Sequence, residues 1–230
     1  MAKTGTRYAV ASPDDGRRID LRNPFLAALL SWLVPGLGQL YQRRTLKGGM
    51  CMAALVAALV FGMWLGDGRV VYAAGRPGEL RLPPAAVRAA FIGQAGIGVV
   101  AIPAFVQSRL LAGSGSEPLF ASAWFAPPVQ PGQFVSPAYA ETLARTSPGV
   151  AVADSGPGRR FRQVLTDELS VWQKRLGRRF EIGTLYTVIA GLLNLLVVFD
   201  ALGGPMRGAG EKSALAEGGK RHPPAAGERR

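Results

Sequence analysis

Residues 23–49 read NPFLAALLSWLVPGLGQLYQRRTLKGG, and the folding of this stretch decides how the rest of the chain is arranged. An apolar run is broken by Pro35-Gly36 and resumes as Leu37-Gly38-Gln39-Leu40-Tyr41. It then meets Arg43, Arg44 and Lys47 before Gly48-Gly49 opens a second apolar run. That layout predicts a membrane hairpin with a basic turn. Asn23-Pro24 is a helix start signal, because Asn can cap and Pro is tolerated in the first turn. The window Pro24–Leu40 holds 17 residues, the lower limit for a span. Pro35 lacks a donor and disfavours a helical Val34, while Gly36 and Gly38 add freedom. The expectation is a helix to Val34, a kink at Pro35-Gly36, and a further turn or two to Tyr41. The alternative is a re-entrant segment that reverses at the kink.

Outward from this stretch the chain alternates apolar windows with basic or turn-rich segments. Gly48–Gly66 carries no charge and is the cleanest span, since Leu, Val and Phe favour insertion by about 0.3–0.6 kcal/mol each and a central Arg would cost about 2.5–3.5. Residues 23–66 thus form the hairpin, and 67–88 an extramembrane loop in which Val70-Val71-Tyr72 could start a short β-hairpin. Residues 89–111 read as a third transmembrane helix, rich in glycine (Gly93, Gly96, Gly98) and holding Gln94. Residues 112–158 are Pro-, Gly- and Ser-rich and read as extended loop. In 159–179, Phe161, Leu165, Leu169, Trp172 and Leu176 recur at steps of three and four among basic residues, the pattern of an amphipathic interfacial helix. Residues 182–204 read as the fourth transmembrane helix, with Thr187, Gly191 and Asn194 on one small, polar stripe suited to helix packing. The flanks, 1–22 and 205–230, are polar tails. The expected fold is all-α: an integral membrane bundle of four helices plus one amphipathic helix.

Composition agrees. Charged residues are 18 % and hydrophobic ones 48 %, with the apolar residues in blocks rather than dispersed. The net charge of +12 flanks those blocks, which fits lipid headgroups better than nucleic acid. The single cysteine, Cys51, excludes a disulfide within the chain, and the single histidine, His222, makes histidine catalysis or a histidine metal site unexpected. Residues 1–22 do not resemble a signal peptide. The sequence holds no phosphate-binding loop, dinucleotide glycine fingerprint or serine-nucleophile motif. No enzymatic activity, cofactor, metal, nucleic acid or small-molecule substrate is therefore expected.

At Pro35-Gly36-Leu37-Gly38-Gln39-Leu40-Tyr41, followed by Arg43-Arg44 and Lys47-Gly48, the chain resembles the two-transmembrane hairpin domain family, over about residues 24–66. A glycine common after the tyrosine in that family is replaced here by Arg43 or Arg44. The blocks NPFLAALLSWLVPGLGQLYQRRTLKG and FEIGTLYTVIAGLLNLLVVFDALGGP are similar to a family of uncharacterised bacterial multi-pass proteins, best known from planctomycetes. The resemblance implies an integral membrane protein and no activity.

The residues singled out follow from this frame. Arg43, Arg44, Lys47, Trp172, Arg175, Arg178 and Arg179 are expected to contact lipid or a partner. Pro35, Gly36, Gly38, Thr187, Gly191 and Asn194 are expected to pack helices. Asp200, the ionisable group of the last span, is a helix-terminal residue or an ion site. Lys and Arg near the span ends number eight against nine on the two sides of a four-span chain, which leaves sidedness undecided. The basic helix favours a cytoplasmic 112–181, whereas a re-entrant first segment would put the N-terminus and the 41–47 turn together on the cytoplasmic side. The leading expectation is a multi-pass inner-membrane protein acting as a non-enzymatic scaffold, binding the bilayer, anionic lipid, other membrane proteins or itself. The rival is a transporter or channel subunit with a polar path near Asn194 and Asp200.

Overall fold

The computed structural model describes residues 9–11, 18–20, 23–73, 85–111, 117–119, 124–154 and 161–203. In chain order the elements are β1 (Ala9–Ala11), β2 (Arg18–Asp20), α1 (Pro24–Leu33), α2 (Leu37–Tyr41), α3 (Thr45–Leu65), α4 (Ala85–Gln94), α5 (Gly98–Leu110), β3 (Phe134–Val135), α6 (Pro137–Thr146), β4 (Val152–Asp154), β5 (Arg162–Val164), α7 (Glu168–Leu176) and α8 (Arg178–Gly203).

Helix α1 starts as the sequence predicts, with Asn23 Oδ1 accepting from the Phe25 and Leu26 amides and Pro24 in the first turn. At Pro35-Gly36 the chain reverses rather than kinks. The Leu37 amide donates to the Val34 carbonyl at 3.1 Å, and Gly36 sits at φ 81°, ψ −10°. Those are the angles of the second central residue of a type II turn, where glycine is favoured. Helix α2 then returns along α1. A Cβ on Gly38 would fall on the Ala27 carbonyl oxygen, although a continuous helix would hold these residues about 16 Å apart.

The third apolar window is also broken. Instead of one helix over 89–111, α4 ends at Gln94, Ile97 is extended (φ −119°, ψ 106°), and α5 begins at Gly98. The first part of α4 lies against α8 near Phe180, Glu181 and Thr184. The far end of α5 lies by the C-terminus of α3, where Gln107 donates to the Trp124 carbonyl and Trp124 covers Gly68. This pair therefore also enters and leaves at one end. Glycine explains the break: a Cβ on Gly96 would fall on the Gly191 carbonyl, so the backbones touch where the helix stops.

Among the described residues, two helices are long and apolar enough to cross a membrane, α3 with 21 residues and α8 with 26; the four expected become these two plus two broken pairs. They run antiparallel. Arg44 and Lys47, at the start of α3, reach Asp200 near the end of α8, while Arg179 stacks over Trp64 at the opposite end. Close glycine contacts join them: a Cβ on Gly62 would come within 2.8 Å of the Gly183 carbonyl, and one on Gly183 within 2.6 Å of that of Gly62. The outer faces are apolar and bare. Phe25, Leu46, Val60, Leu185, Leu192, Leu196 and Phe199 are all more than half exposed. The interior mixes apolar side chains, among them Ala27, Leu59, Ile97, Val100 and Ala190, with Ser31, Gln39, Gln94, Thr187 and Asn194, each of these five polar residues at most 2 % exposed. Many large apolar side chains outside, with polar ones buried between the helices, depart from the soluble pattern and point to a membrane protein.

The expected loop over 112–158 contains folded structure in its described part. Strand β5 lies between β3 and β4 in an antiparallel sheet. Helix α6 begins at Ser136, whose side chain accepts from the Tyr139 amide, with Pro137 in the first turn. Val129, Val135, Tyr139, Leu143 and Val164 close a core between them. The described part of the predicted helix over 159–179 holds β5, the shorter α7 and the first residues of α8. The apolar spacing misled because Phe161 and Leu165 belong to the period of two of a strand flanking inward Val164, and only Leu169, Trp172 and Leu176 share the α7 face. That face packs on protein. The N-terminal segment expected as a tail pairs β1 with β2. Residues 70–73 are buried but not strand, and 74–84 and the 205–230 tail lie outside the described residues.

Candidate functional site: the junction of two broken helices

Pro35 has no amide hydrogen, so the Ser31 carbonyl, four residues earlier, loses its helical partner. At the other break the Gly96 carbonyl has no helical donor either, because the Val100 and Ala101 amides both turn to Ile97. One side chain serves both. Asn194 Nδ2, from the middle of α8, donates to the Ser31 carbonyl at 2.9 Å and the Gly96 carbonyl at 2.8 Å. Asn194 is wholly buried, and among the described residues its Oδ1 has no hydrogen-bond partner.

Further bonds tie the two tips. Trp32 Nε1, from the end of α1, donates to the Ala95 carbonyl at 2.9 Å, and the Trp32 ring and Leu33 backbone lie against Gly98. Gln94 Nε2 bridges the Val70 carbonyl and Thr187 Oγ1, both at 2.8 Å. On the α1–α2 side, Ser31 Oγ donates to Gln39 Oε1 at 2.9 Å and accepts from the Gly38 amide. Gln39 Nε2 continues to the Val197 carbonyl at 2.7 Å. Gln42 Nε2 takes the Ala201 carbonyl in the last turn of α8, a group with no partner inside its own helix.

Asp200 sits above this chain. It accepts from Arg44 at 2.9 Å, Lys47 at 2.7 Å and Gln39 at 3.3 Å. The basic turn is thus clasped to the end of α8. A second polar cluster joins α7 to the loop after α3. Glu168, 1 % exposed, accepts from the Val129 amide and from Ser147 Oγ, and Arg69 approaches it at 3.9 Å. Arg69 also donates to the Thr146 carbonyl and lies over the Trp172 ring, 5.2 Å from its centroid.

The structure sorts the expected site residues. Thr187, Gly191, Asn194, Gly36 and Gly38 lie at helix contacts, and Pro35 makes the turn. Of the expected lipid contacts, Arg44 and Lys47 face Asp200, Arg175 pairs with Asp67 at 3.1 Å, and Arg179 stacks on Trp64. Trp172 is 2 % exposed and donates to Ser147 Oγ, so it faces protein rather than lipid. Arg43 and Arg178 are exposed. Sequence reasoning missed Ser31, Gln39 and Gln42, although polar residues recurring within an apolar window were the available signal. It also missed Arg69, Ser147 and Glu168, which only the fold brings together.

No curated protein and no solved structure matches the chain. One family does, over residues 26–214, which takes in both broken helix pairs and the folded segment between α5 and α8. The chain belongs to that family, a family of unknown function (DUF6677).

Proposed function

We propose that the chain is a multi-pass inner-membrane scaffold protein without enzymatic activity. In this reading α3 and α8 cross the bilayer. The α1–α2 and α4–α5 pairs enter from opposite faces and meet at mid-depth. Helices of 10 residues reach about 15 Å, half of a hydrocarbon core about 30 Å thick. The 117–176 subdomain stands outside, on the α4–α5 side, and offers a folded surface to other membrane proteins.

The observation that carries the reading is the pair of hydrogen bonds that Asn194 Nδ2 donates to the Ser31 and Gly96 carbonyls. Backbone broken in hydrocarbon must find its partners within protein. Here Asn194 of α8 and Ser31 and Trp32 of α1 supply them, so they act as joints.

The test is cysteine accessibility in a Cys51→Ala background, with single cysteines at positions 5, 45, 75, 141 and 215, position 141 being exposed. Two crossings put 5, 45 and 215 on one side and 75 and 141 on the other. Four crossings would put 45 opposite 5 and sink the arrangement. The transport reading draws on one observation, the Asn194 Oδ1 between the two tips, which has no partner among the described residues. Solute or ion flux in proteoliposomes, present in the parent chain and abolished by Asn194→Leu, would put transport ahead of scaffolding.

A further inference from the structure

A cleft of about 460 Å³ opens between α4 and α8, beneath α7 and the segment that follows α3. Its floor is formed by buried Val70, Gln94 and Phe180. One rim is apolar and exposed, with Ala89 on α4 and Leu185 on α8, the latter 56 % exposed. The other rim is polar, with exposed Gln173 and Glu181. The volume lies in the range of small-ligand sites, about 300–1,000 Å³. The rims differ as a bilayer and its headgroup layer differ.

Among the described residues, Glu181 is the one acidic residue lining the cleft, and no cation lies within 4.0 Å of it. A first-turn carboxylate suits the positive end of α8, but that alone does not call for a position on a cleft rim. The Tyr72 and Phe180 rings also line the space. A carboxylate beside aromatic rings recognises an ammonium group and repels an anion. Arg178, exposed one turn earlier on α8, is spaced to meet a phosphate attached to such an ammonium.

We infer that this cleft binds one acyl chain of an aminophospholipid of the phosphatidylethanolamine type, with its ammonium on Glu181. The inference rests on the bilayer placement proposed above. The cysteine map tests that placement without touching the cleft, so the two can fail separately.

The experiment reconstitutes the full chain into nanodiscs of equal phosphatidylethanolamine and phosphatidylglycerol, extracts it in mild detergent, and identifies retained lipid by native mass spectrometry. Phosphatidylethanolamine should be enriched several-fold over the bulk ratio. Glu181→Gln keeps the shape and removes the charge; it should return the ratio to that of the bulk. Ala89→Phe, at an exposed rim position, should cut the amount of retained lipid. Bulk composition in the parent chain, enrichment of the anionic lipid, or full retention by Ala89→Phe would each overturn the assignment.

Discussion

The helical bundle and the 117–176 subdomain solve the same problem with opposite materials. In the subdomain, Val129, Val135, Leu143 and Val164 are inside, each at most 4 % exposed, as in any protein in water. In the bundle many leucines and phenylalanines are outside, while Ser31, Gln39, Gln94, Thr187 and Asn194 are inside, beside a smaller apolar set such as Leu59 and Ile97. The first region is driven together by removal of apolar surface from water. The second gains nothing that way, because lipid is as apolar as leucine, and it relies on close backbone approach and hydrogen bonds. The contrast says which substitutions each region will tolerate.

The largest effect belongs to the bundle's close contacts. A Cβ on Gly191 would fall on the Gly93 carbonyl oxygen, with backbone on both sides and no side chain able to yield. Gly191→Leu should leave no monodisperse protein on size exclusion in detergent. Gly49→Leu is the control, since nothing lies within 4 Å of a Cβ there; it should elute as the parent does. Equal behaviour of the two would remove close approach as the bundle's organising contact. Next in size comes the subdomain core. Leu143 is fully buried, and Leu143→Ala should destabilise the subdomain by about 2–5 kcal/mol. Limited proteolysis of the full chain should then cut within 124–176 far faster, while α3 and α8 stay protected.

Legibility in the sequence followed the same division. The two helices long and apolar enough to cross a membrane, α3 and α8, were readable because long apolar windows almost free of charge report hydrocarbon directly, and so was the α1 start, because Asn23-Pro24 is a local signal. The Thr187–Gly191–Asn194 stripe was readable by spacing alone. Reversal at Pro35-Gly36 was legible only as an alternative, since the same residues permit a kink, and the choice depends on Gly36 and Gly38 meeting Gly48 and Ala27. The break at 95–97 was hidden, because a glycine-rich apolar window without proline at the break looks continuous. The subdomain was hidden for another reason. Its strands are two or three residues long, too short to show a period, and their pairing joins residues far apart in sequence. The misread helix over 159–179 shows the cost: five apolar residues fit a helical face by spacing, yet two of them lie outside any helix.

The smallest effect sharpens the comparison most. Leu196 is 55 % exposed on α8, and its side chain meets no interior that truncation would empty. If water surrounded it, Leu196→Ala would remove exposed apolar surface and raise solubility. If lipid surrounds it, the alanine variant loses only contacts that neighbouring acyl chains replace, and stability in nanodiscs should change by less than about 0.5 kcal/mol. The same substitution type thus separates the regions: about 2–5 kcal/mol at Leu143 and near zero at Leu196. The informative variant is Leu196→Arg. At a lipid-facing position more than a turn from the end of α8 a charge costs up to about 3 kcal/mol in a bilayer, whereas an exposed position in water would accept it within about 0.5. Unchanged membrane insertion and thermal stability for Leu196→Arg would mean that this face meets water, and the inside-out reading of the bundle would fall with it.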